Sequence, residues 1–150
     1  MGFSRLACVV AGLGLVACGG GKPTPFHHAD PAFTLDLPSG FHAGADARDP
    51  LGNPTLRIDG AHASDYVEVT WKPGAAADVA AATDEARAAR SPSVPELGRG
   101  KTAGGATYLD LDLGHATHDF HAWLVVKDQL VTCFANGGDA AVSVCKSLRP

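Results

Sequence analysis

The side chains best equipped for chemistry fall in one stretch, His115-Ala116-Thr117-His118-Asp119-Phe120-His121. Three imidazoles and a carboxylate within seven residues are donor types that ligate Zn²⁺ or Cu²⁺, neutral imidazole being a common ligand for both. If the stretch connects two strands, His115 and His118 could converge, while His121 already belongs to the next strand with its own facing. A metal site on His115, His118 and His121, or a metal-dependent hydrolase acting through His115, His118 and Asp119, is therefore one expectation. The competing reading is a polar turn with exposed histidines and no cofactor, because a working site also needs convergent ligands and hydrogen bonds that support them. The spacing is not His-Glu-x-x-His on a helix. His27, His28, His42 and His62 lie in polar or loop-like surroundings and read as solvated.

Other catalytic signatures are missing. The chain has neither a Gly-x-Ser-x-Gly elbow nor a Gly-x-x-x-x-Gly-Lys phosphate loop. Asp110 and Asp112 alternate along a strand pattern beside Tyr108 and read as solvent-facing acids rather than a general acid–base pair. The expectation is a protein that is not an enzyme.

The cysteines carry the next layer of chemistry, and the N-terminus decides what becomes of them. Arg5 precedes an uncharged run from Leu6 to Val16, far shorter than the roughly 20 apolar residues of a bilayer span and typical of a secretory signal peptide. At its end, Leu15-Val16-Ala17-Cys18 resembles the lipobox of bacterial lipoproteins. That resemblance implies cleavage after Ala17 and acylation of Cys18, with further acylation of its new amine. Two or three chains hold a protein stably where one holds it only marginally, at about 0.8 kcal/mol per buried methylene. Gly19 rather than Asp after the cysteine favours, by analogy with enterobacterial sorting, the periplasmic face of the outer membrane. Residues 1–17 are then the signal peptide, 18–30 the lipidated N-terminus with a Gly- and Pro-containing tether, and 31–150 a single domain. Cys8 leaves with the signal and Cys18 takes the lipid. Cys133 and Cys145 remain as an even pair in an oxidising compartment, most simply a disulfide, since their spacing is not Cys-x-x-Cys and no other cysteine is left to build a thiolate cage.

Removing residues 1–17 takes Arg5 and no acid, leaving 11 Lys plus Arg against 16 Asp plus Glu. That acidic balance, with no basic block, disfavours nucleic-acid binding. The partners expected are the membrane, through Cys18, and an envelope protein.

Several elements must position these groups. Strict alternation marks strands at Phe33–Leu37, Thr55–Asp59, Ser64–Lys72 and Ala106–Gly114, with further strands at Glu96–Thr102, Phe120–Lys127 and Leu130–Ala135. Phe120–Lys127 is apolar on both faces and should lie inside a sheet covered on both sides. Residues 41–54 are dense in Gly, Ala, Asp and Pro and read as a loop. Ala75–Arg90 is alanine-rich, with acids early and arginines late, and reads as a helix with a shallow apolar stripe. A last helix follows Asn136-Gly137-Gly138, with Asp139 as its cap and Ala141, Val144, Cys145 and Leu148 on one face. The order βββαββββα predicts an α+β fold, a central antiparallel sheet of about six to seven strands flanked by two helices.

Two segments at opposite ends of this region, Phe33-Thr34-Leu35-Asp36-Leu37-Pro38-Ser39-Gly40-Phe41 and Cys145-Lys146-Ser147-Leu148-Arg149, with the mid-chain helix and hairpins between them, resemble the Mog1/PsbP-like group of exported domains and lipoproteins. The resemblance implies an antiparallel sheet flanked by helices and a role in binding or assembly, with none of the matching residues catalytic. A cystatin-like or other small α+β sheet is the competing architecture. The function expected is a membrane-anchored envelope lipoprotein that binds or scaffolds.

Overall fold

Val67, Val69 and Trp71 alternate with Tyr66, Glu68 and Thr70, and this pattern builds the spine of the sheet. The computed structural model describes residues 21–150; the expected signal peptide and the lipobox-like segment with Cys18 lie outside the described residues. Among the described residues nine strands and two helices follow in order: β1 (Thr24–Ala29), β2 (Ala32–Leu37), β3 (His42–Arg48), β4 (Pro54–Asp59), β5 (Tyr66–Pro73), α1 (Ala76–Ala88), β6 (Glu96–Lys101), β7 (Thr107–Asp112), β8 (His118–Val126), β9 (Gln129–Gly137) and α2 (Asp139–Lys146). Seven strands form one antiparallel sheet in the order β3-β4-β5-β9-β8-β7-β6, and β1 and β2 form a separate hairpin. The α+β architecture is as the residue patterns predict.

Two strands lie where the residue pattern suggests none. Residues 41–54 are not all loop, because β3 pairs with β4 along the sheet edge. Its residues are nearly all exposed, so backbone pairing chiefly holds it and no apolar period marks it. A bulge between Ala43 and Asp46, with the charges of Asp46 and Arg48, protects this open edge from further pairing. The ordered domain also starts before residue 31: Thr24–Ala29 is paired as β1 rather than belonging to a tether.

The hairpin and α2 cover one face of the sheet. There Phe33, Leu35, Leu56, Ile58, Val67, Val69, Trp71, Phe120, Val131 and the inner side of α2 form the larger apolar cluster. His28 is not solvated as its surroundings suggest. Its side chain is 9% exposed and stacks on Phe33 at 4.6 Å, with Trp71 equally close on a tilted ring. The two segments that carry the family resemblance meet on this face. Thr34 and Arg149 exchange backbone hydrogen bonds, the Asp36 amide donates to Ser147 Oγ at 2.7 Å, and Arg149 donates through both terminal nitrogens to the Asp36 carboxylate at 2.8 and 3.0 Å. Cys133 of β9 and Cys145 of α2 form the expected disulfide, with Cα atoms 5.5 Å apart. Asp139 does not cap α2 as its position suggests: Gly138 is the N-cap residue, and Asp139 lies in the first turn.

On the other face α1 lies across β7, β8 and β9, where Val79, Ala82 and Ala86 meet a smaller cluster of Leu109, Leu111, Trp123 and Leu130. Alanines permit a close approach but make the helix narrow, so β4 and β5 stay uncovered on this side. Arg57 and Asp59 are exposed, and Tyr66, Glu68 and Thr70 are half-buried. As expected, β8 is an interior strand with apolar side chains on both faces, although β9 holds the middle position.

Candidate binding surface

The three histidines of the 115–121 stretch do not converge. Gly114, His115 and Ala116 all take positive φ in the β7–β8 turn, closed by hydrogen bonds between Leu113 and Thr117 and between Thr117 and Gly114, and His115 is exposed. His118 opens β8 on the α2 side of the sheet. Its Nδ1 is 2.8 Å from Asp110 Oδ1, and its Nε2 is 3.4 Å from Asp139 at the start of α2. His121, three residues on, emerges on the opposite face beside α1 because strand side chains alternate. An odd separation along one strand cannot bring two ligands to one metal. Among the described residues no group of three or more His, Cys, Asp or Glu side chains is arranged to hold one. Asp110 also departs from its expected solvent-facing position: it is 6% exposed, and the His118 imidazole satisfies it.

The α1 face gathers a different set. Asp119, 1% exposed, accepts a hydrogen bond from Arg90 Nε at 2.6 Å, and its other oxygen lies 3.2 Å from His121 Nε2. Burial alone would raise the Asp119 pKa. The hydrogen bonds from His121 and Arg90, with their positive potential, outweigh it and bring the carboxyl down to about 2. The same pair raises the Arg90 pKa, chiefly through the Asp119 hydrogen bond. A carboxylate held ionised with both oxygens occupied is a weak proton acceptor. Its work here is to order Arg90 and His121 at the surface.

From His121 an aromatic stripe crosses the open half of the sheet. His121 stacks on Trp123 at 5.5 Å and lies 4.9 Å from Phe134, its partner across the β8–β9 ladder. Phe134 meets Tyr66 edge-on at 6.0 Å, and the Arg57 guanidinium sits 4.4 Å over the Tyr66 ring. Arg57 is itself oriented by Asp59, 2.8 Å away, which raises its pKa. Beside the stripe a groove of about 290 Å³ runs along the step between α1 and the sheet, with Ala82, Ala86 and Ala89 on one wall and His121, Trp123 and Thr132 on the other. The surface is thus aromatic along its length and bounded by two ordered guanidinium groups.

His121 thus belongs to a set other than the one its neighbours in the sequence suggest, and nothing in the linear order marks Arg90, Arg57, Tyr66 and Phe134 as members of one surface. The available signal was the second face of β5 and β9, where Tyr66 and Phe134 alternate with buried Val67, Cys133 and Ala135; their adjacency depends on the pairing of those two strands.

No family model and no curated protein sequence matches this chain. Among solved structures, the solution structure of the cyanobacterial PsbP protein CyanoP from Synechocystis sp. PCC 6803 is similar, with a TM-score of 0.55 and 14% identity over 90% of this chain and 98% of that one. At this identity the likeness concerns the fold. The chain has a PsbP-like α+β fold, in agreement with the expectation from its two end segments. Among the described residues no helix is long and apolar enough to cross a membrane.

Proposed function

We propose that this chain is a lipid-anchored envelope module that binds a protein partner through the open half of its α1 face. The observation that carries this reading is the ordered stripe of Arg57, Tyr66, Phe134 and His121 on sheet surface that α1 leaves uncovered, with His121 stacked on Trp123, which is buried beneath the helix. Aromatic side chains and arginine are the types enriched at the centres of protein interfaces, where they bury large areas at small entropic cost. The charges around the stripe are of both signs, with Arg57, Lys72 and Arg90 interspersed among Asp59, Glu68 and Glu85. A protein surface with an apolar centre and a mixed polar rim complements this pattern better than a polyanion does. The lipobox reading of Cys18 adds the location. A short N-terminal segment ending in acylated Cys18 keeps the domain at the membrane, on the periplasmic side of the outer membrane, where its partner is another envelope protein.

The test is site-specific photocrosslinking in intact envelopes, with the photoreactive residue at Tyr66, at Phe134 or at Ser143 on the exposed side of α2. A single dominant protein adduct is expected from Tyr66 and Phe134. It should be absent from Ser143 and lost when Arg57→Glu is added to the Phe134 probe. Equal adducts from all three positions, or an adduct indifferent to Arg57→Glu, would show that the stripe is not the docking surface.

A further inference from the structure

The larger apolar cluster does not close at the end of the molecule where the described chain begins. Phe26 on β1, Leu37 at the end of β2 and Ala43 on β3 are only half-buried at its rim, beside Phe41, which is 6% exposed. An open groove of about 590 Å³ lies among these four residues and Pro38. Its size falls within the roughly 300–1,000 Å³ range of small-molecule sites, and its lining is mainly apolar, as such sites require. Lys22 and His42 are the ionisable groups in the lining, and neither has a charged partner of opposite sign within it.

The chain itself leads to this groove. Gly21 contributes to its wall, and a Cβ at that position would lie 3.8 Å from Cβ of Ser39 in the β2–β3 turn. Cys18 is three residues upstream of Gly21. An extended chain covers at most about 3.6 Å per residue, so the Cys18 backbone lies within about 11 Å of Gly21.

We propose that the groove is an acyl-chain site and that its occupant is a fatty acyl chain carried on Cys18. The inference rests on the lipobox reading of Cys18 and adds a second place for the lipid. Each methylene removed from water contributes about 0.8 kcal/mol, so an acyl chain outside a bilayer is strongly driven toward the nearest apolar surface. Phe26, Leu37 and Phe41 offer that surface within reach of the attachment point. A bilayer offers the same chain at least as much burial. The groove therefore shelters the chain while the protein is away from a membrane and releases it on insertion.

The disulfide leaves Cys18 as the one free thiol of the mature chain, residues 18–150, so it can be alkylated selectively. The mature chain, prepared with its disulfide formed, is titrated with a fluorescent hexadecanoic acid before and after attachment of a hexadecyl maleimide to Cys18. The unmodified chain should bind one equivalent of the probe, and the alkylated chain should bind it at least about tenfold more weakly because its own chain fills the site. Leu37→Glu and Ser39→Trp in the unmodified chain should each weaken the probe by about tenfold or more. Leu37 packs against the core, so the exposed turn variant Ser39→Trp serves where Leu37→Glu fails to fold. Absence of probe binding to the unmodified chain overturns the site. Equal binding before and after alkylation, or indifference to Ser39→Trp, overturns the tethered occupant or the groove as its location. Mass spectrometry of the protein extracted from envelopes reports separately on Cys18: an unmodified thiol there removes the anchor reading, whatever the groove binds.

Discussion

Asp119 sets burial directly against charge. A carboxylate with 1% exposure pays a large desolvation cost, and here Arg90 and His121 return more than that cost, so the group ionises more readily than in the unfolded chain. The sign of the pH effect follows. With the folded pKa at about 2 and the unfolded value at 3.8, the contribution is complete above 3.8 and disappears as pH falls through about 2. It amounts to about 2 kcal/mol. Asp119→Asn should lower stability by about that amount near neutral pH, and chemical denaturation at a series of pH values should show the difference from the parent shrinking below pH 3.8. A difference that stays constant down to pH 2 would contradict this account. The histidines teach the converse at the same scale. Three imidazoles in seven residues suggested a ligand set, and one fact of strand geometry, alternation of facing, sends His118 and His121 to opposite sides of β8.

Among the elements, the β1–β2 hairpin and α2 depend on each other. The hairpin buries Phe33 and Leu35 but has only two strands, and such a unit is marginal alone. Arg149, Ser147 and the disulfide-held α2 supply what it lacks. The covalent link is the part most easily removed. Chain-entropy arguments assign a closed loop of this length about 3 kcal/mol, so replacing Cys133 and Cys145 together by alanine should lower the melting temperature by about 10 °C in calorimetry. Thiol labelling of the exported protein should find both cysteines blocked until a reductant is added. Free thiols, or an unchanged melting temperature, would count against a structural role for the bond. The legibility of elements followed burial. Strands with one buried face, such as β4 and β5, were readable from alternation, and α1 from its alanines. Nothing in the composition of residues 42–48 announces β3, because an exposed edge strand is held by backbone hydrogen bonds that leave no apolar period. β1 was hidden for a related reason: its inward residues are Phe26 and a histidine, and His28 reads as polar until Phe33 and Trp71 enclose it.

At the scale of the whole molecule, the two faces of the sheet have different fates. One is closed by α2 and the hairpin, while the other is half closed by a narrow helix and half open, and the N-terminal chain leaves beside the apolar groove at Gly21. If Cys18 carries the lipid, Cys18→Ala should move the protein from the membrane to the soluble fraction of broken envelopes, with retention falling by about tenfold or more once two or three acyl chains are lost. Unchanged membrane retention would contradict the lipobox reading. The sequence by itself determined the α+β class, the succession of the buried strands along the chain, both helices and the pairing of Cys133 with Cys145. Each of these follows from local periodicity, helix propensity or the counting of cysteines. Tertiary structure alone decided that Arg90, Asp119, His121, Phe134, Tyr66 and Arg57 share one surface. They come from the segment just past α1 and from β8, β9, β5 and β4, and adjacency across a sheet is set by strand order and register, which a linear pattern of residue types does not contain.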